Sequence, residues 1–143
     1  RVVDFTTAMA GPTAAMLLGD FGAEIIKVEP PEGESSRRWG SARFGEAGDL
    51  SGLFLALNRN KSSITVDLKS DEGKAAVERP VRDADVVLES FKPGVADRLG
   101  IGDARLSELK PDLVYASGSA RGAQNAALLG SFQISQSETP SGA

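Results

Sequence analysis

The chain has 143 residues, of which 41% are apolar and 25% are charged, a composition typical of a globular domain. Its net charge of -4 argues against a nucleic-acid-binding protein, which usually carries a basic face. The absence of cysteine and histidine excludes disulfides, thiolate and imidazole metal ligands, and Ser-His or Cys-His nucleophile pairs. With no apolar run of about 18 residues and no signal-peptide pattern, we expect a cytoplasmic protein without membrane contact or metal site.

Strand-like and helix-like segments alternate over the first 118 residues. Taken in chain order, they are a strand at 2–5, a helix at 13–21, a strand at 24–29, a polar loop at 32–49, a helix at 50–57, a strand at 63–68, a helix at 71–83, a strand at 85–88, helices at 95–99 and 104–109, and a strand at 113–116. We expect the first helix to be mostly buried. Pro80 should kink the helix at 71–83 or mark a local defect in it.

This alternation predicts an α/β fold with a parallel sheet, right-handed crossovers and flanking helices. The length suits a single domain over residues 1–143. Beyond Gly118 the periodicity weakens, so residues 118–143 are poorly defined by the sequence. The chain begins inside a probable strand, and residues 133–143 show no clear periodicity, so we interpret the chain as a truncated one.

A ligand site is expected at the carboxyl ends of the strands, where open α/β sheets bind their ligands. Four loops should meet there, namely 6–12, 29–39, 90–94 and 118–121. They carry Arg37, Arg38, Lys92 and Arg121, together with glycines that expose backbone N–H groups. Such a mouth suits phosphate. An equally good interpretation is that the glycines only make turns and the arginines form a solvated surface.

Nucleotide motifs are missing from the sequence. No G-x-G-x-x-G follows the first strand, and no G-x-x-x-x-G-K-[ST] occurs, so the NAD and P-loop interpretations lack their residues.

Three sequence stretches, read together, resemble the CaiB/BaiF (family III) CoA-transferases. The first runs over 1–12 and 18–29, the second is N-R-N-K at 58–61 with D-L-K at 67–69, and the third is A-D-V-V-L-E-S-F-K-P-G at 84–94 with R-L-G at 98–100. Each piece alone is weak, but their order and spacing over residues 1–118 are specific.

The resemblance implies a Rossmann-like parallel sheet belonging to the large domain of an interlocked homodimer, with coenzyme A as a substrate and no permanently bound cofactor. Its CoA-binding positions correspond here to Ala8, Met9, Arg37, Val66, Lys69, Ser90, Phe91 and Arg98. Ala8 and Met9 would lie against the thiol end of CoA, and Val66 and Lys69 near its nucleotide part. Met9 and Ser90 depart from the family's usual glutamine and asparagine.

The reaction implied is the transfer of CoA from an acyl-CoA to a free carboxylic acid. An aspartate attacks the thioester to give a mixed anhydride, and the freed thiolate then forms an aspartyl-CoA thioester from which the acceptor acid collects the CoA. The family's nucleophile lies in a G-D-x-x-[ST]-G motif that this chain lacks. We therefore assign no catalytic residue and expect the nucleophilic aspartate downstream of Ala143. The chain alone should be inactive.

Two alternatives stay open. A 2-methylacyl-CoA racemase of the same superfamily would use a histidine, which this chain lacks. The other alternative is a non-catalytic CoA-binding remnant. The acid and the acyl donor cannot be named from these residues.

Overall fold

The computed structural model describes residues 1–119 and 131–136. In this part of the chain the strands are β1 (Val2–Asp4), β2 (Ile25–Glu29), β3 (Arg43–Phe44), β4 (Leu50–Ser51), β5 (Lys61–Thr65), β6 (Val86–Glu89), β7 (Val114–Ser119) and β8 (Ser131–Gln136). The helices are α1 (Ala10–Asp20), α2 (Gly52–Leu57), α3 (Asp71–Arg82), α4 (Val95–Arg98) and α5 (Asp103–Leu109), with a 3-10 helix at Ser35–Arg38. No helix within these residues is both long and apolar enough to cross a membrane.

Six strands form one sheet in the order β5-β2-β1-β6-β7-β8. The first five in this order pair in parallel, and β8 adds an antiparallel strand beside β7. The chain builds the sheet outward from β1 through β2 to β5, then crosses back to place β6 on the other side of β1. This reversal between β1 and β6 is a topological switch point, the usual position of a ligand crevice in such sheets.

Alternating strand residues build a core on each face of the sheet. Val3, Phe5 and Val87 face one side and pack against α3 and α5, through residues such as Val77 and Leu106. The opposite face carries a smaller cluster made by Val2, Ala15, Ile25, Leu88 and Ala116, to which α1 contributes Ala15. Apolar residues at neighbouring strand positions are therefore buried on both faces, as expected for a parallel sheet.

Helix α3 has clear sequence determinants at both ends. The Ser70 side chain accepts a hydrogen bond from the Gly73 N–H as an N-cap, and Asp71 and Glu72 lie in the positive first turn. Arg79 and Arg82 lie in the last turn, where cations are favoured. The expected kink or local defect does not end the helix, which runs unbroken to Arg82 past Pro80. Its position in the last turn limits the disturbance to a single backbone hydrogen bond.

The predicted α/β fold is confirmed, but three local expectations are wrong. Helix α1 is not mostly buried, because it packs on the sheet by one face and leaves Leu17, Leu18 and Phe21 exposed. The strand expected at 63–68 is β5, which ends at Thr65 where a turn closed by the Asp67 carbonyl begins. The loop at 32–49 contains a 3-10 helix and β3, which pairs with β4.

Candidate functional site: a ligand cleft at the carboxyl edge of the sheet

A cleft of about 280 Å³ opens at the carboxyl ends of β1, β2, β5 and β6. Its lining residues are Phe5, Thr7, Val28, Glu29, Pro30, Pro31, Glu32, Val66, Asp67, Leu68, Lys69, Phe91 and Leu99. The cleft therefore lies beside the topological switch point, where the fold favours ligand binding.

The cleft wall is mainly apolar, with charge at its rim. Val66 is buried in the floor, and Phe91 and Leu99 pack against the same core from the β6 side. Lys69 is exposed at the rim, and its backbone N–H donates to the Asp67 carboxylate in the turn after β5. An apolar interior with a few polar groups at the edge is the usual form of a small-molecule site. The volume is at the low end for such sites, so the cleft encloses only part of a large ligand.

Basic side chains flank the cleft on helix α4 and the loop before it. Gly94 adopts a positive φ of 75° as the residue that starts α4, a conformation that glycine reaches at no steric cost. This turn places Arg98 on α4 with its guanidinium over Gly94. Within residues 1–119 and 131–136, no carboxylate pairs with Lys69, Lys92 or Arg98, whose side chains are exposed. These cations are available to an anionic ligand.

Arg37 is engaged by a carboxylate of the cleft wall. Its Nε and Nη2 atoms donate to the two carboxylate oxygens of Glu29 at 2.6 and 2.7 Å, and its guanidinium lies 4.0 Å from the ring centre of Phe54. Burial disfavours the charged form of Glu29, yet bonds from Arg37, the Glu34 N–H and Ser63 outweigh it and lower its pKa from 4.5 to about 2. Arg37 thus neutralises the charge that Glu29 brings to the cleft wall.

The 6–9 turn, which links β1 to α1, forms another wall through Thr7. The Thr7 N–H donates to Ser90 Oγ at 3.0 Å, so Ser90 joins this turn to the loop after β6. Ala8 has a positive φ of 69°, and Met9 is exposed where α1 begins.

Three predicted binding residues, Val66, Lys69 and Phe91, lie together in the cleft lining. Ala8 and Met9 lie in the turn that supplies Thr7, and Ser90 accepts a hydrogen bond from that turn. Arg98 lies on α4. Arg37 donates to the carboxylate of Glu29. Arg121, expected in the same mouth, lies outside the described residues. The contacts of all these positions with CoA stay a prediction.

The catalytic residue is the part of the predicted site that has no counterpart in the described structure. We expect the nucleophilic aspartate downstream of Ala143, and Ala143 itself lies outside the described residues. The cleft lining contains Asp67, whose carboxylate accepts the Lys69 N–H and so closes the turn after β5. The assignment of no catalytic residue to this chain stays a prediction.

Sequence reasoning missed two buried ion pairs under this edge. Lys27 Nζ lies 2.7 Å from Glu34 Oε2, and Lys61 Nζ lies 2.9 Å from Asp4 Oδ2, with all four side chains about 1% exposed or less. Burial is the largest influence on Lys61 and lowers its pKa, against the attraction of Asp4. A signal was present for Lys27, since a lysine inside the run I-I-K-V must point to one face of a strand that is buried on both.

Comparison with known proteins agrees with the architecture. The model of CoA-transferase family III matches residues 1–139. An acyl-CoA transferase of Fusarium pseudograminearum is 42% identical over 128 residues, which are 85% of this chain and 28% of that protein. Succinyl-CoA–D-citramalate CoA-transferase of Chloroflexus aurantiacus is 45% identical, over 80% of this chain and 28% of its own length.

The crystal structure of a CaiB/BaiF family protein from Brucella suis superimposes with a TM-score of 0.78 at 42% identity, covering 81% of this chain and 31% of that one. The chain thus spans less than a third of the length of each of these three relatives.

Proposed function

Because the chain belongs to CoA-transferase family III, we propose that it forms the CoA-binding part of an enzyme that moves CoA from an acyl-CoA to a free carboxylic acid. The observation that carries this proposal is the meeting of Val66, Lys69 and Phe91 in one apolar cleft at the switch point of the sheet. The aromatic and aliphatic wall suits a purine base, and the cations at the rim suit its phosphates.

The proposed orientation follows from the charge around the cleft. Glu29 lines the cleft but is neutralised by Arg37, while Lys69 and Arg98 have exposed side chains. We place the nucleotide part of CoA in the cleft, with its phosphates toward Lys69 and Arg98. The remaining arm would then leave along the 6–9 turn toward Ala8 and Met9, because the cleft is too small for the whole molecule.

The chain's role is binding, and the nucleophile is expected downstream of Ala143 in the whole protein. The reaction through an aspartyl anhydride and an aspartyl-CoA thioester, and the inactivity of these residues alone, remain part of the proposal. Transfer is favoured over racemisation because the matched relatives are named as transferases and the chain has no histidine. A cytoplasmic location also stays a prediction.

A homodimer of the full-length protein is proposed as well. Helices α1 and α2 expose apolar side chains, those of Leu17, Leu18, Phe21 and Leu55, which a second copy would cover.

The CoA site can be tested by calorimetric titration of the chain with CoA. Loss of a hydrogen bond to a charged phosphate costs about 1.5–3 kcal/mol, so Lys69→Ala and Arg98→Ala should each weaken binding by about tenfold or more. Lys110→Ala is the matched control, because Lys110 precedes β7 and so lies at the opposite, amino-terminal edge of the sheet. Equal dissociation constants for wild type and all three variants would refute the proposed site.

A further inference from the structure

The 6–9 turn is held by side chains at four backbone polar groups of Thr6, Thr7 and Ala8. The Thr6 N–H donates to Asp4 Oδ1 at 2.9 Å, and the Thr6 carbonyl accepts from Lys27 Nζ at 2.9 Å. The Thr7 N–H donates to Ser90 Oγ at 3.0 Å, and the Ala8 N–H donates to Glu34 Oε1 at 2.9 Å. Side chains from β1, β2 and two loops therefore converge on three consecutive residues.

One buried ion pair supplies two of these bonds. Lys27 and Glu34 are each 1% exposed, and their charged atoms lie 2.7 Å apart. Within the described residues, Glu34 Oε2 accepts no well-directed hydrogen bond, so this contact with Lys27 is mainly Coulombic. The directed bonds of the pair instead go to the Thr6 carbonyl, the Ala8 N–H and the Ser36 hydroxyl, which donates to Glu34 Oε1 at 2.6 Å. Burying two charges is costly unless they are paired and bonded, so this arrangement is a poor way to gain stability alone.

The turn that the pair holds is strained and closely packed. Ala8 adopts a left-handed φ of 69°, which costs a non-glycine residue about 1 kcal/mol or more. On the other side, α1 approaches so closely that a Cβ on Gly11 would lie 2.3 Å from Thr6 Cβ. Strained backbone persists only where its surroundings over-determine it, and it tends to occur at functional sites.

We propose that Lys27 and Glu34 are positioning residues, which act through the backbone of Thr6 and Ala8 to fix the wall of the CoA cleft that Thr7 supplies. This inference rests on the proposed function for its ligand, but the effect on the turn itself does not depend on any ligand. Neither residue lines the cleft, so neither contacts a molecule bound there.

The test is the double variant Lys27→Met/Glu34→Met of this chain. Replacing a buried ion pair by apolar groups of similar size is often neutral for stability, but here the Thr6 carbonyl and the Ala8 N–H also lose their partners, so the melting temperature should fall. Both bonds to the turn are lost. We expect the Ala8 amide to exchange its hydrogen at least tenfold faster relative to the Val87 amide of β6, and CoA to bind at least tenfold more weakly.

Glycine at position 8 separates positioning from a general loss of stability. If the pair serves to hold Ala8 in its left-handed conformation, adding Ala8→Gly to the double variant should restore about fivefold of the lost affinity. Because Ala8 is itself a proposed CoA contact, any direct effect of the change is common to both backgrounds, so the test compares the effect of Ala8→Gly in the double variant with its effect in wild type. Equal effects of Ala8→Gly in both backgrounds would overturn the proposal.

Two further variants keep the test decisive. Glu34→Asp retains the charge beside Lys27 but withdraws the acceptor from the Ala8 N–H, so it should speed Ala8 exchange even if the double variant does not fold. Val81→Ala, in a fully buried position near the end of α3, should lower the melting temperature without raising the Ala8-to-Val87 exchange ratio, because a loss of global stability speeds the core amide at least as much. An unchanged ratio in Glu34→Asp, or unchanged CoA affinity in a variant whose Ala8 exchange has risen, would overturn the positioning role.

If wild type itself binds no CoA, the proposed function fails, while the exchange ratios still report on the turn.

Discussion

At the scale of single residues, the carboxyl edge of the sheet depends on charged side chains that are almost fully enclosed. Glu29 is 2% exposed and accepts bonds from Arg37, Ser63 and the Glu34 N–H. These bonds more than offset the cost of burying the carboxylate and hold its pKa near 2. Because the folded-state pKa lies below the ordinary value, this stabilisation is present above about pH 4.5 and is lost as the pH falls toward 2.

Glu29→Gln should therefore destabilise the chain at neutral pH and much less in acid. A pKa shift from 4.5 to about 2 corresponds to a free energy of unfolding on the order of 3 kcal/mol at pH 7. Urea unfolding at pH 7 and at pH 3 measures the free energy of unfolding of the variant and of wild type, and the difference between them should be smaller at pH 3. Glu108→Gln, at an exposed ion pair with Arg105, should change stability by less than about 0.5 kcal/mol at either pH. A difference for Glu29→Gln that does not depend on pH would contradict this account.

At the scale of elements, helix α3 combines strong end signals with an interior proline. Ser70, the acidic first turn and the basic last turn favour the helix locally, and Val77 and Val81 bury one face of it against the sheet. Pro80 removes one backbone hydrogen bond near the end, yet the helix continues to Arg82. Packing of the buried face therefore outweighs the local cost of the proline.

Pro80→Ala should stabilise the chain, since alanine restores the missing N–H and removes the ring clash. Interior proline costs about 3 kcal/mol relative to alanine, and a gain of about 1–3 kcal/mol is expected at this late position. Chemical unfolding of Pro80→Ala and wild type measures this gain in the free energy of unfolding. The neighbouring Arg79→Ala is the control and should change stability by less than about 1 kcal/mol. A destabilised Pro80→Ala would mean that the ring makes packing contacts worth more than the lost bond.

At the scale of the whole molecule, the ligand cleft lies at the carboxyl edge of the sheet, and exposed apolar side chains lie on the helices that cover one of its faces. The cleft opens where β1, β2, β5 and β6 end, while Phe21 at the end of α1 is 89% exposed. Exposed apolar side chains grouped on neighbouring helices are typical of an interaction surface. The proposed homodimer would use this surface.

Phe21→Ser should lower the dimer fraction while leaving the fold intact. Sedimentation velocity at increasing protein concentration measures association, and the melting temperature should change little because Phe21 buries almost nothing within one chain. Phe44→Ser is the matched control, since Phe44 is also exposed but lies on β3. Equal association of wild type and both variants would argue against a dimer built on α1.

The sequence by itself determined the order and type of most elements, since apolar periodicity and caps such as Ser70 act locally. It also indicated the family, and with it the residues that meet in the cleft, because the motifs survive as contiguous runs. The run I-I-K-V indicated that Lys27 is buried, but the sequence could not indicate its pairing with Glu34, or that Lys61 pairs with Asp4, because these partners meet only when segments distant in sequence lie side by side. Nor could it show that α1 leaves Phe21 exposed, since an apolar run gives the helix but not which of its faces finds a neighbour. Only the tertiary structure decided these points, because ion pairing and burial depend on distances between segments that the local pattern does not encode.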